Sequence, residues 1–270
     1  MTDANPLLAA LRECDPDRKC ALVAALDAAA AGHRSTPAPV MEGIPGRPEQ
    51  PRLISPRAVP YRGLGSVEGR AALCHAVAHI EFNAINLALD ACWRFGGMPA
   101  DYYTDWLSVA QDEARHFLAM RARLRELGSD YGALPAHNGL WEAAEKTAHD
   151  VLVRMACVPR VLEARGLDVT PGMIQRLREV RDHDTIAVLD VILSEEVRHV
   201  EIGTRWFRWC CAQRGLDSVT TFRKLIAEHG AQLRPPFNWD ARRRAGFLPE
   251  ELAAQESVGK NHSGTLHHTN

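Results

Sequence analysis

The sequence predicts an all-α chain built on an antiparallel four-helix bundle. Three observations carry that reading. Apolar residues recur at helical spacing through most of the stretch between Ser66 and Arg214. No run alternates with period two for long enough to suggest a sheet. The helical stretches are long and the breaks between them short, which makes chain neighbours antiparallel.

The elements follow in order. Residues 6–31 are rich in Ala and Leu and are broken at Asp15-Pro16, which predicts one interrupted helix or two short ones. Residues 35–65 hold Pro37, Pro39, Pro45, Pro48, Pro51, Pro56 and Pro60, with Gly43, Gly46, Gly63 and Gly65. That density excludes helix and predicts an extended arm over the domain, anchored by Leu53, Ile54, Val59 and Tyr61. Ser66 is the expected N-cap of the first bundle helix, which Gly96-Gly97 ends. Pro99 to Leu127 forms the second, ended by Gly128, and Leu140 to Arg165 the third, ended by Gly166. Thr170-Pro171 reads as a cap followed by proline at the first helical position. The fourth helix then runs to Arg214, with an interruption near Asp182-His183-Asp184. A short helix over 216–229 and a polar tail complete the chain. The expected organisation is therefore an N-terminal helix and proline-rich arm (1–65), the bundle (66–215), and a C-terminal helix and tail (216–270).

Composition narrows the function classes. The chain has 270 residues, 46% hydrophobic and 24% charged, which excludes a disordered or low-complexity chain. A net charge of −2 gives no global field toward nucleic acid or anionic lipid. Only Lys19, Lys146, Lys224 and Lys260 of the 32 basic residues are lysine, a skew read as compositional bias. The seven cysteines form no CxxC pair and read as small buried hydrophobes in a reducing compartment. No leader pattern and no apolar run of membrane-spanning length is legible, so a soluble cytoplasmic protein is expected.

Two ExxH motifs carry the chemistry: Glu113-Ala-Arg-His116 and Glu196-Val-Arg-His199. On a helix, positions i and i+3 lie about 60° apart in azimuth and one turn apart in height, so carboxylate and imidazole can converge on one ion. Either motif alone is weak. The repeat is stronger: Glu81 precedes Glu113 by 32 residues, and Glu163 precedes Glu196 by 33. Each helix pair thus carries a Glu and then an ExxH, the ligand pattern of ferritin-like di-iron or di-manganese carboxylate proteins.

The helix faces agree. Glu81 shares its stripe with Val77, Ala78, Ala84, Ile85 and Ala88; Glu113 and His116 with Trp106, Val109, Ala110, Phe117 and Met120; Glu196 and His199 with Leu189, Ile192, Leu193, Val200 and Gly203. Glu163 is less clean, with Ala156, Pro159 and Leu167 beside Arg160. Four carboxylates in an apolar interior repel unless a multivalent cation sits among them. The competing account makes these glutamates solvent-facing or paired with Arg115 and Arg198. Mixed carboxylate and imidazole donors favour iron or manganese over zinc.

Secondary candidates are weaker. His75 and His79 share a face turned away from Glu81 and are expected in hydrogen bonds of the core or behind the ligands. His149 lies about four turns from Glu163. An Asp cap explains the His183-Asp184 region. Tyr102, Tyr103 and Trp106 read as core. Pro159, one turn before Glu163, is expected to kink or open the helix or to start a new one. His267-His268 sits on the terminal tail.

The stretches HAVAHIEFNAINLALDACWRF (75–95), DWLSVAQDEARHF (105–117), HNGLWEAAEKTAHDVLVRMACVPRVLEARGLDVTPGM (137–173), EEVRHVEIGTRWF (195–207) and ARRRAGF (241–247), with Gly46-Arg47-Pro48, resemble a bacterial ferritin-like family named as a domain of unknown function. The likeness covers nearly all of the chain after about residue 40. It implies a ferritin-like bundle and a dinuclear carboxylate site with Glu81, Glu113, His116, Glu163, Glu196 and His199 as ligands. In helix layout that family is similar to the tRNA hydroxylase of the same superfamily, which acts on a modified adenosine. The resemblance supplies no substrate.

The expected protein is a two-iron carboxylate oxidoreductase or hydroxylase, with manganese as the alternative ion, acting with O2 on an organic small molecule. Without a GxGxxG pattern it would draw electrons from an external donor. The other readings are a non-catalytic metal-binding or storage protein and a tRNA-modifying hydroxylase using Arg242, Arg243 and Arg244 on phosphate. No membrane partner is expected, and a homodimer is the default assembly.

Overall fold

The computed structural model describes residues 5–27, 43–60, 62–231 and 233–252. Among them are ten α-helices and no strand, only an isolated parallel bridge between Leu53 and Ala136. The helices are α1 (Pro6–Arg12), α2 (Pro16–Ala24), α3 (Val67–Arg94), α4 (Ala100–Glu126), α5 (Gly139–Lys146), α6 (Val151–Cys157), α7 (Ala164–Glu179), α8 (His183–Gln213), α9 (Ser218–Glu228) and α10 (Trp239–Arg244), with a π-helical segment Val158–Glu163 between α6 and α7. Tyr61, part of the arm, and His267-His268 lie outside the described residues. The described residues cluster into two compact units, one drawn from 1–148 and 176–189, the other from 149–175 and 190–270.

In the first unit the break at Asp15-Pro16 is a cap. The Asp15 carboxylate accepts from the Arg18 amide at 2.8 Å, and Pro16 takes the first helical position, where no amide is needed. Ser66 caps α3 as expected, accepting from the Gly69 amide at 3.1 Å. α3 and α4 form an antiparallel hairpin. Near the connection the Tyr102 hydroxyl donates to the Ala91 carbonyl (3.3 Å) and the Tyr103 hydroxyl to that of Phe95 (3.0 Å). Further along, the Phe82 and Phe117 rings meet at 5.5 Å. Tyr102, Tyr103 and Trp106 are buried, as core residues.

α3 corrects one expectation. By length and composition it could cross a membrane, although 78% of its most apolar window is buried within the protein. Asn83, Asn86 and Asp90 are buried along it, and Asp90 holds Arg94 through both carboxylate oxygens. This is the burial of a soluble protein's core helix, whose apolar faces meet protein on most sides.

Lys19 joins α1, α2 and α3. Its side chain is buried and donates to the carbonyls of Ala10 (3.2 Å) and Leu11 (3.1 Å) and to Asn86 Oδ1 (2.6 Å). Burial draws its pKa down to about 7, yet three acceptors match the three N–H groups of an ammonium. Two of those acceptors are carbonyls in the last turn of α1, where the Glu13 amide also reaches Ala10 (3.3 Å) and the Gly46 amide reaches Leu11 (2.8 Å).

The arm is laid on this unit partly by its backbone, and of the expected apolar anchors Ile54 and Val59 are half-buried. Leu53 is exposed, while the Ile54 amide donates to the Ala136 carbonyl (2.8 Å) and the Ala136 amide to that of Arg52 (3.0 Å). The Gly46 amide donates to the Leu11 carbonyl at 2.8 Å. A Cβ at Gly46 would lie 2.0 Å from the Arg12 carbonyl oxygen, so only glycine permits that approach.

His75 and His79 hold the 131–137 loop. The Gly132 amide donates to His75 Nε2 (3.0 Å); His79 contacts the Tyr131 hydroxyl through Nδ1 and the His137 carbonyl through Nε2, both at 3.0 Å. Both rings stack on Tyr131. These are hydrogen bonds of the core; His75 Nε2 must be unprotonated to accept from the Gly132 amide, and burial lowers both pKa values to about 4.

The second unit revises the third and fourth predicted helices. α5 ends at Lys146, and Asp150 starts α6, accepting from the Leu152 amide at 2.8 Å while Arg214 grips both its oxygens at 2.6 Å. Helix then continues through Gly166 and Pro171 to Glu179. One mid-helix glycine costs only about 1 kcal/mol, too little to stop a packed helix. Pro171 cannot donate to the Leu167 carbonyl, and Asn238 Nδ2 does so instead at 3.2 Å. The true start of α8 is Asp182, in the first unit, which accepts from the Thr185 amide (3.1 Å) and hydroxyl (2.9 Å). The expected Asp cap is there, one residue before His183.

The chain after α9 packs on the second unit in the stretch that ends at Leu252. Arg242 is buried and bidentate to Asp168 (2.9 and 2.7 Å), and Phe247, Glu251 and Leu252 are buried. Arg243 pairs with Asp240. Arg242 is therefore not displayed for phosphate.

Lys19→Met should lower unfolding free energy by about 2 kcal/mol, because it takes the donor from the buried Asn86 Oδ1, read from the urea midpoint. For His75 and His79 the folded pKa lies below the ordinary value of about 6.5, so the unfolded chain binds more protons between pH 6.5 and 4. Stability should fall as pH drops through that window, and His75→Gln should flatten the dependence of melting temperature on pH.

Candidate metal centre

α3 supplies Glu81, and α4 supplies Glu113 and His116 one turn apart. The hairpin brings all three together in the interior of the first unit. His116 Nδ1 lies 3.3 Å from Glu81 Oε2 and 3.4 Å from Glu113 Oε2. All three are buried. One donor atom from each lies within 4.8 Å of the others, the separation of groups that share an ion.

The electrostatics show what the arrangement costs. Burial, and then the Glu113 carboxylate, push the Glu81 pKa well above the carboxylate range. Burial alone would lower that of His116, but the Glu113 and Glu81 carboxylates outweigh it and raise it. Each partner thus favours holding a proton near neutrality, which a divalent cation would displace. The donor set, two carboxylates and an imidazole out of water, could hold a metal ion. Arg115 pairs with Asp112 at 2.6 Å on the exposed side.

In the second unit α8 carries Glu196 and His199, with His199 Nδ1 3.4 Å from Glu196 Oε1. His199 is fully buried and Glu196 half-buried. Glu163, also half-buried, is the last residue of the π-helical segment. Its turn is opened as Pro159 predicted: the Ala164 amide reaches the Pro159 carbonyl five residues back. Pro159 also sits on Gly203, one turn beyond His199, where a Cβ would lie 2.3 Å from the proline Cβ. The missing side chain at Gly203 lets the turn that carries Glu163 approach the face of α8 that carries His199. His149 instead stacks on His229 at 5.8 Å.

Sequence reasoning missed the packing beneath that turn. Arg160 is fully buried, with its guanidinium over the rings of Phe222 (4.0 Å), Phe207 (4.6 Å) and Phe247 (4.7 Å). The one available signal was a cation on an otherwise apolar face. The cysteines behave as expected: all are free thiols, and only Cys14 is exposed.

These features define an all-helical protein with a buried carboxylate–imidazole cluster that could hold a metal ion. The chain belongs to the family described as a protein of unknown function, DUF455, which matches residues 12–253. A relative from Haemophilus influenzae, described as an uncharacterized protein, is 45% identical over 219 residues, 78% of this chain and 76% of its own length. No solved structure matches the chain.

Gly203→Ala should cost about 1–3 kcal/mol by overpacking against Pro159, with helix content retained, as measured by urea unfolding followed by circular dichroism.

Proposed function

We propose that Glu81, Glu113, His116, Glu163, Glu196 and His199 hold two divalent ions, iron with manganese as the alternative, in a ferritin-like four-helix bundle. The protein is then an O2-dependent oxidoreductase or hydroxylase acting on an organic small molecule in the cytoplasm, with an external electron donor. The observation that carries this reading is the buried Glu81–Glu113–His116 cluster, whose like charges share an interior where a cation is the effective counter-charge. The repeat of Glu followed by ExxH supports the second half of the set.

A reduced pair of such ions supplies the electrons and open coordination that O2 activation needs. The chain's own part is to hold and shield. The Glu81 and Glu113 carboxylates and the His116 imidazole arrive preassembled from one rigid hairpin. All three side chains are buried, so the hairpin itself holds them away from water. The burial of Arg242 against Asp168 gives the oxidoreductase reading precedence over one that uses the arginine run on RNA.

Metal analysis with an optical spectrum after aerobic purification tests the reading. Two irons per chain with an oxo-bridge absorption are expected; a folded chain without bound metal, even after anaerobic Fe(II) loading, would sink it. Glu113→Ala should lower the metal content. Affinity should rise with pH between about 5 and 8, because Glu81 and His116 must release protons to bind.

A further inference from the structure

Arg160 belongs to the π-helical segment, three residues before Glu163. Its Nη2 donates to Glu251 Oε1 at 2.5 Å, with both side chains fully buried. Glu251 comes from the end of the described chain and is itself fixed: its Oε2 accepts from the Leu248 amide at 2.8 Å and from Arg208 Nη2 at 3.3 Å. Arg160 Nε and Nη1 have no hydrogen-bond acceptor, and the guanidinium lies among the faces of Phe207, Phe222 and Phe247. Phe247 comes from the same C-terminal segment as Glu251, Phe207 from α8 and Phe222 from α9.

A buried ion pair of this kind is a poor way to gain stability alone, since apolar side chains of similar volume often do as well. What it adds is direction. A π-helical turn is a rare geometry that surrounding contacts must hold in place. Here Pro159 fixes it against Gly203, and the next residue, Arg160, fixes it against the C-terminal segment.

We propose that Arg160 and Glu251 are positioning residues for Glu163, the C-terminal segment clasping the π turn so that this carboxylate is presented to a metal ion. This rests on the reading of Glu163 as a ligand. The clasp makes residues 245–252 part of the centre's architecture although they contribute no donor atom.

The test uses the full-length chain, titrated anaerobically with Fe(II) and followed by hydrogen exchange. The wild type should bind two ions. Glu251→Gln should weaken one of them by about 10–100-fold, as expected for support behind a ligand, and should raise exchange across residues 158–164. The double variant Arg160→Met/Glu251→Leu removes both charges together; it should regain the melting temperature without regaining the affinity. A packing role would restore both, so wild-type binding of both ions in the double variant overturns the proposal. So does unchanged exchange in Glu251→Gln. A wild type that binds no metal overturns the metal-centre reading, and this role with it. A wild type that binds two ions beside variants that do the same overturns this role alone.

Discussion

Two carboxylates and an imidazole share the interior of the α3–α4 hairpin, and the need to neutralise them there organises the first unit. A carboxylate out of water either takes a proton or finds a counter-charge. Glu81 and Glu113 lie on different helices and both reach His116, so the pairing also fixes how the helices are rotated against each other. A small slide of α4 along α3 would separate Glu81 from His116 and leave a charge without that partner. The surrounding aromatic and aliphatic side chains make the site dry, and dryness makes the charges costly. Hydrophobic core and polar cluster are therefore one constraint seen from two sides.

The second unit meets a related problem by deforming a helix. Residues 151–179 form unbroken helical structure through two glycines and two prolines. Pro159 removes an amide and leaves a wider turn; Pro171 removes another, and Asn238 covers the carbonyl it abandons. Each defect has a particular side chain or glycine opposite it. That is why the helix survives punctuation that would end an exposed one, and why Glu163 leaves from a turn with unusual geometry.

The parts of this protein that were legible in the sequence are those whose signals are local. Ser66, Asp15 and the ExxH spacing act within one or two turns, and they predict the cap, the break and the intrahelical Glu–His pairs. The hairpin of α3 and α4 follows from two long apolar-striped segments with a short connection. The misread boundaries, at Gly166 and Thr170-Pro171, depend on a residue about seventy positions away, Asn238, that no local pattern reveals. The same is true of Glu251 beneath Arg160, of Asn86 beneath Lys19, and of the backbone pairing that holds the arm near Ala136. Long-range contacts decide whether a local breaker breaks, and a single sequence does not display them.

The histidines of the first unit show how far environment outranks residue type. His79 lies only two residues from Glu81, yet on a helix that places it about 160° away, where it meets the Tyr131 hydroxyl and the His137 carbonyl rather than a carboxylate. Burial there leaves the neutral ring favoured, and the ring spends its two nitrogens on tying down a loop. His116 is as deeply buried, but two carboxylates face it and its proton is held more tightly. The face of the helix on which each ring lies thus separates a structural imidazole on α3 from one on α4 suited to exchange its proton for a metal ion. Azimuth, which sequence spacing does give, was enough to tell them apart; the partners that make the difference chemical come only from the packed fold.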